Sequence, residues 1–340
     1  MPDKVVTFGE VMMRLSPPGF LRLTQARTLD LTFGGSEANV AVALAQWGVP
    51  VEHVTRLPDN DLGQACAQFL RQFGVGLEHV VWGGDRLGLY FLEVGAAQRG
   101  GKVIYDRQHS SFATLARGMV DWPAVFADAR WFHWSGITPA LSANAADVCQ
   151  EALQVARASG LTISCDLNYR ATLWKWGRSA GEVMPELVGY CDVLFGNEEN
   201  VEQMFGIREP ENEDAADRCH RVCKALAERF PKLRTIAFTL RGALSATHNT
   251  WSGVLWDGGD FYVAPVYDIP FIVDRVGTGD AFVAGVIYGL LTDRTDLQRA
   301  LEFAVAAACL KHTIFGDVNQ VTVAEVERLM RGEQAGHILR

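Results

Sequence analysis

The sequence has no long uninterrupted hydrophobic run and only a modest supply of positive charge. It begins MPDKVVTFGEV, without the apolar core of a secretory signal, so we expect neither a cleaved leader nor a membrane span. The 31 Lys and Arg residues are outnumbered by 40 Asp and Glu residues, and the formal net charge is -9. This balance disfavours a protein that mainly grips nucleic acid or an acidic membrane. An anionic ligand would have to meet locally placed cations.

Cysteine is also sparse, and its placement argues against a disulfide framework. The seven cysteines are odd in number, scattered, and mostly set in apolar runs. A reducing cytoplasm is the simpler expectation. Cys219 and Cys223 flank His220 within one charged helical pattern, but no second pair of ligands accompanies them. Helix packing is therefore favoured over a zinc site.

Two common nucleotide-binding motifs are missing as well. The sequence has no GxxxxGK followed by Ser or Thr, and no complete GxGxxG opens a helix. A P-loop enzyme and an ordinary dinucleotide binder both lose support. What remains is a chain of 340 residues, 49% hydrophobic and 21% charged, without repeats or low-complexity tracts. We expect it to form a single globular domain over residues 1–340.

Short β-branched or aromatic runs alternate with longer helical patterns along most of the chain. Strands are predicted near residues 5–8, 131–134, 161–165, 192–195 and 235–240, and helical patterns begin near Ser142, Asn212 and Leu297. Such alternation is typical of a mostly parallel sheet covered by helices on its faces. We therefore predict an α/β fold with three layers.

Two segments break this alternation. Residues 11–34 and 87–107 are half-polar, are punctuated by glycine and carry no long helix, which predicts a small β-sheet lid. A further strand-rich stretch from Gly242 to Val266 contains turn signals and is predicted to form a meander at one edge of the main sheet. Because exposed lid edges often pair with a second copy, we expect a homodimer or a larger homo-oligomer through the lid.

The most informative passage is DRVGTGD, from Asp274 to Asp280, which continues into a nearly all-apolar and hence buried helix. Gly277 and Gly279 would allow a tight turn, and the first free amides of the helix would bind phosphate oxygens. Asp280 would then lie where its carboxylate can accept the proton of an attacking hydroxyl. The alternative is that Asp280 only caps the helix and that the glycines only form a turn.

This passage, together with GGSEANVAVA from Gly34 to Ala43, resembles the two signatures of the ribokinase-like (PfkB) carbohydrate kinases. The likeness extends over nearly the whole chain and is strongest to the branch that acts on 2-keto-3-deoxygluconate. The resemblance implies a ribokinase-like fold with a β lid and phosphoryl transfer from ATP with Mg²⁺. It also implies an anion hole at Gly277, Thr278 and Gly279, with Asp280 as the catalytic base.

The sugar side begins at the first signature. Gly34 and Gly35 precede helical signals that start at Ser36, which we interpret as the N-cap of the helix. The resemblance assigns Gly34, Gly35 and Asn39 to sugar hydroxyls. A GlyGlySer helix start is also a common structural device, so a purely structural role is the alternative.

The type of sugar depends on charge, because a sugar acid needs a guanidinium to pair with its carboxylate. Arg107 ends a predicted lid strand, and Arg170 follows a predicted core strand, at the edge of the sheet where ligands gather in open α/β folds. The resemblance assigns both arginines to the substrate, together with Tyr90, Tyr105 and, less directly, Asp317. A salt-bridged or solvated surface role is the alternative for each arginine.

On the nucleotide side the resemblance places Asn168, Asn197, Arg241, Gly242 and Ser245, with Gly277, Thr278 and Gly279 of the anion hole. Asn197 could equally cap the helix that starts at Glu198. The family pattern Asn-x-x-Glu, whose glutamate organises the water shell of Mg²⁺, ends here in Asn200, so the metal ligands stay undetermined. A run of small residues from 304 to 308 could admit adenine or could allow tight helix packing.

These features and the resemblance together imply a cytoplasmic, ATP-dependent kinase that phosphorylates the 6-hydroxyl of 2-dehydro-3-deoxy-D-gluconate. The resemblance also implies a role in Entner–Doudoroff or uronate catabolism. The alternatives are the same fold acting on fructose, ribose or 5-keto-2-deoxygluconate, and a non-catalytic sensor of sugar acids. A nicotinamide-dependent reductase is less well supported, since its glycine fingerprint is missing.

Overall fold

The computed structural model describes residues 4–209 and 214–333. The strands are β1 (Lys4–Phe8), β2 (Met12–Ser16), β3 (Asp30–Gly34), β4 (Val51–Val54), β5 (Arg56–Leu57), β6 (Val81–Trp82), β7 (Gly88–Glu93), β8 (Lys102–Asp106), β9 (Ala129–Ser135), β10 (Thr162–Asp166), β11 (Val193–Gly196), β12 (Thr235–Ala243), β13 (Asn249–Trp256), β14 (Phe261–Val263) and β15 (Tyr267–Ile269). The helices are α1 (Ser36–Gln46), α2 (Asp61–Arg71), α3 (Trp122–Phe126), α4 (Ile137–Leu141), α5 (Ala143–Ala158), α6 (Ala180–Val188), α7 (Glu198–Phe205), α8 (Ala215–Arg229), α9 (Thr278–Thr292), α10 (Leu297–Lys311) and α11 (Val323–Met330).

The main sheet is mostly parallel, as the alternating pattern predicted. Its order is β14-β13-β12-β11-β10-β9-β1-β4, and β15 pairs with β13. The pairs from β4 through β12 are parallel, whereas β13, β14 and β15 join antiparallel. The meander predicted for the segment that starts at Gly242 is therefore confirmed as the antiparallel edge of this sheet. Asn212, where one helical pattern was predicted to begin, lies outside the described residues, and α8 begins at Ala215.

Successive residues of the central strands enter two different cores, because neighbouring side chains of a strand point to opposite faces. Val5 and Phe195 pack with α1, α9 and α10 on one face. Val6 and Leu194 pack with α5, α6 and α8 on the other. This alternation gives the three predicted layers. Among the described residues, no helix is both long and apolar enough to cross a membrane.

The predicted lid is a separate four-stranded sheet in the order β3-β2-β7-β8. Strands β2 and β3 pair antiparallel, β2 and β7 parallel, and β7 and β8 antiparallel. All four strands fall within the two segments predicted to form the lid, 11–34 and 87–107. Strand β8 is exposed along its whole length. The lid is therefore a separate sheet, built from two segments of the chain that lie between strands of the main sheet.

Candidate active site

A cavity of about 1040 Å³ lies between the lid and the carboxyl ends of the central strands. Tyr90 and Tyr105 line it from lid strands β7 and β8, and Asp166 and Gly196 line it from the ends of β10 and β11. Strand ends of open α/β sheets gather ligands because the loops there diverge and leave a crevice. The cavity is long enough to reach from the lid to the start of α9.

The turn before α9 has the backbone that the sequence predicted. Gly277 is the N-cap of the helix with φ of 80°, a left-handed conformation that favours glycine. A Cβ at this position would come within 1.8 Å of the Asp317 carbonyl oxygen. The Thr278 hydroxyl donates to the Arg275 carbonyl at 3.0 Å and closes the turn. The turn therefore depends on glycine for both its dihedral angle and its packing.

Gly279 has a different role, since a Cβ there would meet no atom within 4 Å. It lies in the first turn of α9 and lines the cavity. The amides of a helix's first turn have no partner within the helix, and they carry the positive end of its dipole. Open space above such amides fits the oxygens of a phosphate group, so the residues present fit a polyphosphate ligand.

Asp280 is the third residue of α9, so the alternative that it caps this helix is wrong. Its Oδ1 accepts from the Ser36 hydroxyl at 2.9 Å, and its Oδ2 accepts from the Asn39 side-chain amide at 2.7 Å. Only 8% of the residue is exposed, and burial raises the pKa of its carboxyl to about 6 although both hydrogen bonds oppose the rise. The carboxylate is thus fixed in position, faces the cavity, and is poised to take a proton near neutral pH.

The sequence predicted Ser36 as the N-cap of α1, and this prediction is wrong. Gly35 occupies that position and makes no side-chain cap, and Ser36 is the first helical residue. Its hydroxyl is engaged instead by Asp280, and it also accepts from the Asn168 side-chain amide at 2.9 Å. Asn168 therefore lies close to the Asp280 carboxylate, and it also lines the cavity. It adopts a left-handed φ of 39°, which asparagine tolerates better than most residues.

Two further buried acids surround Asp280, and sequence reasoning missed both. Asp166 ends β10 and lines the cavity, and burial, with the charge of Asp280, raises the pKa of its carboxyl to about 7. Glu37 lies on α1, where it accepts from the Ser135 amide at 3.0 Å, and burial raises the pKa of its carboxyl to about 7. Asp166 belongs to the AspLeuAsnTyrArg run, and its position at a strand end was the available signal.

Arg107 lies on the cavity wall but is not an unpaired cation. Its Nε donates to Glu10 Oε2 at 2.8 Å, and its Nη2 makes a second hydrogen bond to the same oxygen. Ser110 donates to the other Glu10 oxygen at 2.5 Å. Glu10 is buried, and sequence reasoning missed it because nothing local links residue 10 to residue 107. The guanidinium is held rigidly with one nitrogen, Nη1, left outside this pair.

Arg170 contrasts with Arg107 because it is exposed and makes no ion pair within the described part of the chain. Its Nη1 donates to the Tyr169 carbonyl at 3.0 Å. It lines the cavity, and its charge acts on Asp166 and Asp280, lowering the pKa of both carboxyls against the larger effect of burial. Of these two arginines on the cavity wall, Arg107 is therefore fixed and charge-compensated, whereas Arg170 is exposed and not held by an ion pair in the described residues.

Asp317 lies on the cavity wall, but its carboxylate already has two partners. Arg14 Nη1 donates to Oδ1 at 2.8 Å, and the Tyr90 hydroxyl donates to Oδ2. The same Arg14 guanidinium donates to Asp274 Oδ2 at 2.5 Å and to the Ser16 hydroxyl at 2.8 Å. Arg14 is fully buried on lid strand β2. The network ties the lid to the two loops that flank the start of α9.

At the end of the cavity predicted for the nucleotide, Arg241 and Gly242 form part of the lining, where β12 passes into the hairpin. Ser245 does not line it: its hydroxyl accepts from the Thr247 amide at 3.2 Å within the hairpin tip. The small residues 304 to 308 are buried in the face of α10 and do not line the cavity either. For that run, helix packing is the interpretation that the structure supports, and the adenine interpretation is wrong.

Asn197 caps α7 and lines the cavity at the same time. Its Oδ1 accepts from the Asn200 amide at 2.8 Å, so the capping alternative is present in the structure. Glu198 and Glu199 both line the cavity, and Glu198 is ion-paired with Arg218 at 3.2 Å. No group of three or more metal-binding side chains occurs among the described residues. A divalent ion would therefore rely on few protein ligands, as Mg²⁺ commonly does beside substrate phosphates.

A buried carboxylate beside an open helix start, in a cavity closed by a β lid, fits transfer of a phosphoryl group to a hydroxyl. The family model for pfkB family carbohydrate kinase matches residues 2–322. The chain belongs to this family and is a carbohydrate kinase. The resemblance drawn from the two glycine-rich signatures is thereby confirmed.

Individual relatives support the same placement. A 2-dehydro-3-deoxygalactonokinase from Haloferax volcanii is 36% identical, with 99% of each chain covered. A 2-dehydro-3-deoxygluconokinase from Thermoproteus tenax is 28% identical over 96% of this chain and 94% of its own. The crystal structure of the 2-dehydro-3-deoxygluconokinase from Thermotoga maritima superposes with a TM-score of 0.93 at 45% identity, covering 97% of this chain and 100% of that one. The ribokinase-like fold is therefore confirmed.

Proposed function

We propose that this kinase transfers the γ-phosphoryl group of ATP to the 6-hydroxyl of 2-dehydro-3-deoxy-D-gluconate, giving ADP and the 6-phosphate. The observation that carries the proposal is that Asp280 and two arginines, Arg107 and Arg170, line one cavity. A base and a phosphate turn are needed for any sugar kinase. The arginines add a receptor for the carboxylate of a sugar acid, and the relatives that act on keto-deoxy sugar acids agree with this.

In the proposed reaction Asp280 accepts the proton of the sugar hydroxyl, while the oxygen of that hydroxyl forms a bond to the γ-phosphorus. The bond from that phosphorus to the bridging oxygen of ADP breaks, and its electron pair leaves with ADP. The amides of Thr278 and Gly279 stabilise the negative charge on the moving phosphoryl group. Ser36 and Asn39 hold the carboxylate in line, so positioning supplies much of the rate.

Mg²⁺ would neutralise charge on the phosphates. Asp166 and Glu199 are carboxylates on the cavity wall that would hold it, directly or through water. Asn200 takes the place of the glutamate expected in the family pattern, so the negative charge would come from other acids on the cavity wall. Asn168, Asn197, Arg241 and Gly242 would contact the nucleotide from the same cavity.

At the sugar end, Gly34, Gly35 and Asn39 would contact hydroxyls and Tyr90 and Tyr105 would shape the pocket from the lid. Arg107 would present a fixed nitrogen to the substrate carboxylate, since Glu10 restrains the rest of its guanidinium. Arg170 would supply most of the uncompensated charge. The carboxyl of Asp317 would position this wall rather than bind the sugar, because Arg14 and Tyr90 already occupy it.

The test is a coupled assay of ADP release with Mg-ATP and a set of acceptors. The set includes ketodeoxygluconate, ketodeoxygalactonate, 5-keto-2-deoxygluconate, fructose, ribose and gluconate. The keto-deoxy acids should give the highest kcat/KM, and Arg170→Ala should raise KM for them by about 10- to 100-fold. If a neutral sugar gives the highest kcat/KM and Arg170→Ala leaves the KM for that sugar unchanged, the substrate assignment is wrong. If no acceptor releases ADP, the sensor alternative replaces the kinase reaction.

We also propose that two copies associate through the lid. Leu31 is 52% exposed on edge strand β3, and Val103 and Ile104 are 41% and 43% exposed on edge strand β8. Edge strands with exposed apolar residues are suited to pairing with another sheet. Light scattering after size-exclusion chromatography should give a mass of at least twice 37.4 kDa. Ile104→Lys should lower the mass towards the 37.4 kDa of a single chain. A wild-type protein that elutes as a monomer would exclude this assembly.

A further inference from the structure

Two arginines lie together at the phosphate end of the cavity. Arg241 comes from strand β12, Arg275 lies in the turn just before Gly277, and both line the cavity. Burial and the charge of Arg241 together lower the pKa of Arg275. The acid next in sequence, Asp274, acts on Arg275 but is already ion-paired with Arg14. Like charges placed together raise the free energy of the free protein, and an anion bound between them would lower it.

The backbone around Arg275 fixes where its guanidinium lies. Nη2 donates to the carbonyls of Ser245 at 3.3 Å and Ala246 at 2.7 Å, both in the tip of the hairpin that joins β12 to β13. The Arg275 carbonyl accepts from the Thr278 hydroxyl, the first residue of α9. One edge of the guanidinium is therefore anchored, and the side chain is held beside the amides that we assign to phosphate.

Arg241 has no such anchor. Over residues 4–209 and 214–333, its side chain makes no hydrogen bond and no ion pair, and the residue is exposed. An anchored arginine beside an exposed, unanchored one can receive a polyanion, since the anchored group sets the position and the other can adjust to the ligand. Guanidinium groups suit phosphate because their nitrogens match two of its oxygens.

We propose that Arg275 is a phosphate-binding residue that acts with Arg241 on the β- and γ-phosphates of the nucleotide. This inference rests on the proposed function. It gives a role to Arg275, a cation of the DRVGTGD passage for which the sequence alone indicated none. Arg275 contributes charge at the same turn that supplies the amides of Thr278 and Gly279. The helix start and the guanidinium therefore contact one ligand from two sides.

The experiment measures nucleotide affinity by isothermal titration calorimetry, with MgADP and adenosine as the two probes. The variants are Arg275→Gln, which keeps an amide donor for the hairpin carbonyls but loses the charge, and Arg275→Lys, which keeps the charge. Arg294→Gln is the matched control, because Arg294 also donates to a backbone carbonyl, that of Leu290 at 3.1 Å, but lies outside the cavity lining.

We expect Arg275→Gln to weaken MgADP binding by about 10- to 100-fold while adenosine affinity changes by less than about two-fold. Arg275→Lys should fall between this variant and wild type, and Arg294→Gln should match wild type. Unchanged MgADP affinity in Arg275→Gln, or an equal loss for adenosine, would overturn the inference and leave only the hairpin contact. Wild-type turnover of a sugar acid in the same preparation would show that the proposed function survives that failure.

Discussion

Replacing Arg14 with methionine tests the buried network that joins the lid to the turn before α9. Arg14 and Lys311 are fully buried cations, and Asp274 and Asp317 are buried acids, so the wild-type cluster is balanced in charge. Arg14→Met leaves a net charge of -1 and removes three hydrogen bonds, at 2.5, 2.8 and 2.8 Å. Breaking a buried ion pair from one side costs about 3–5 kcal/mol.

The loss should depend on pH in a definite direction. Burial already raises the pKa of the Asp317 carboxyl, and Arg14 opposes the rise. Without Arg14 that pKa rises further, so the folded variant binds more protons than its unfolded chain and loses stability as pH increases. Arg14→Met should therefore be less destabilised at pH 5 than at pH 8. Adding Asp317→Asn should recover part of the loss, because it returns the net charge of the cluster to zero.

The assay is urea denaturation followed by tryptophan fluorescence at both pH values. A fall of about 3–5 kcal/mol in the free energy of unfolding at pH 8 is a large part of the roughly 5–15 kcal/mol available to a folded domain. A loss below about 1 kcal/mol, or a double variant no more stable than Arg14→Met, would refute the role given to the network.

Three further predictions concern the site itself. Gly279→Ala should keep a free energy of unfolding within about 1 kcal/mol of wild type but lose kcat by at least about 100-fold, because its methyl group enters the space assigned to phosphate. Gly277→Ala should also lose free energy of unfolding, since its backbone is left-handed. Equal activity of Gly279→Ala and wild type would reject the assignment of that space to phosphate. The wild-type kcat should fall as pH falls through about 6, where the Asp280 carboxyl takes up a proton. Asn39→Ala should move this acid limb of the pH-rate profile to higher pH, since the lost hydrogen bond had lowered the pKa of Asp280. An acid limb that stays in place or moves to lower pH would contradict the role of Asn39. Arg241→Gln should not lower the melting temperature of the nucleotide-free protein, because that cation has no partner of opposite charge, and a fall of several degrees in a thermal scan would contradict the repulsion between Arg241 and Arg275.

Local signals in the sequence predicted the α/β class and many of its elements, and the resemblance supplied the ribokinase-like fold. The core strands, α9 and both lid segments lie where periodicity and glycine placement predicted them, because each signal acts within a few residues. The turn at Gly277 was equally local, since a left-handed residue and a free helix start can be recognised from the motif. The turn alone left Asp280 as either a base or a helix cap, and the resemblance to the PfkB kinases selected the base.

Contacts between distant residues were not accessible in the same way. Arg14 pairs with acids 260 and 303 positions away, and Glu10 pairs with Arg107 across 97 positions. The error at Ser36 has a related cause: its hydroxyl bonds to Asp280, which lies 244 positions further on, and this tertiary bond replaces the local cap. The run from 304 to 308 left two interpretations open in the sequence, because small residues suit a helix contact as well as a ligand surface.

The most direct test of the central claim is the turnover of Asp280→Asn with Mg-ATP and ketodeoxygluconate, measured beside calorimetric binding of the sugar acid. We predict that binding stays within about three-fold of wild type while kcat falls by at least about 1,000-fold, because the amide keeps the shape of the carboxylate but cannot accept the proton. A kcat near that of wild type, with ADP still released in proportion to phosphorylated sugar, would contradict the assignment of Asp280 as the base.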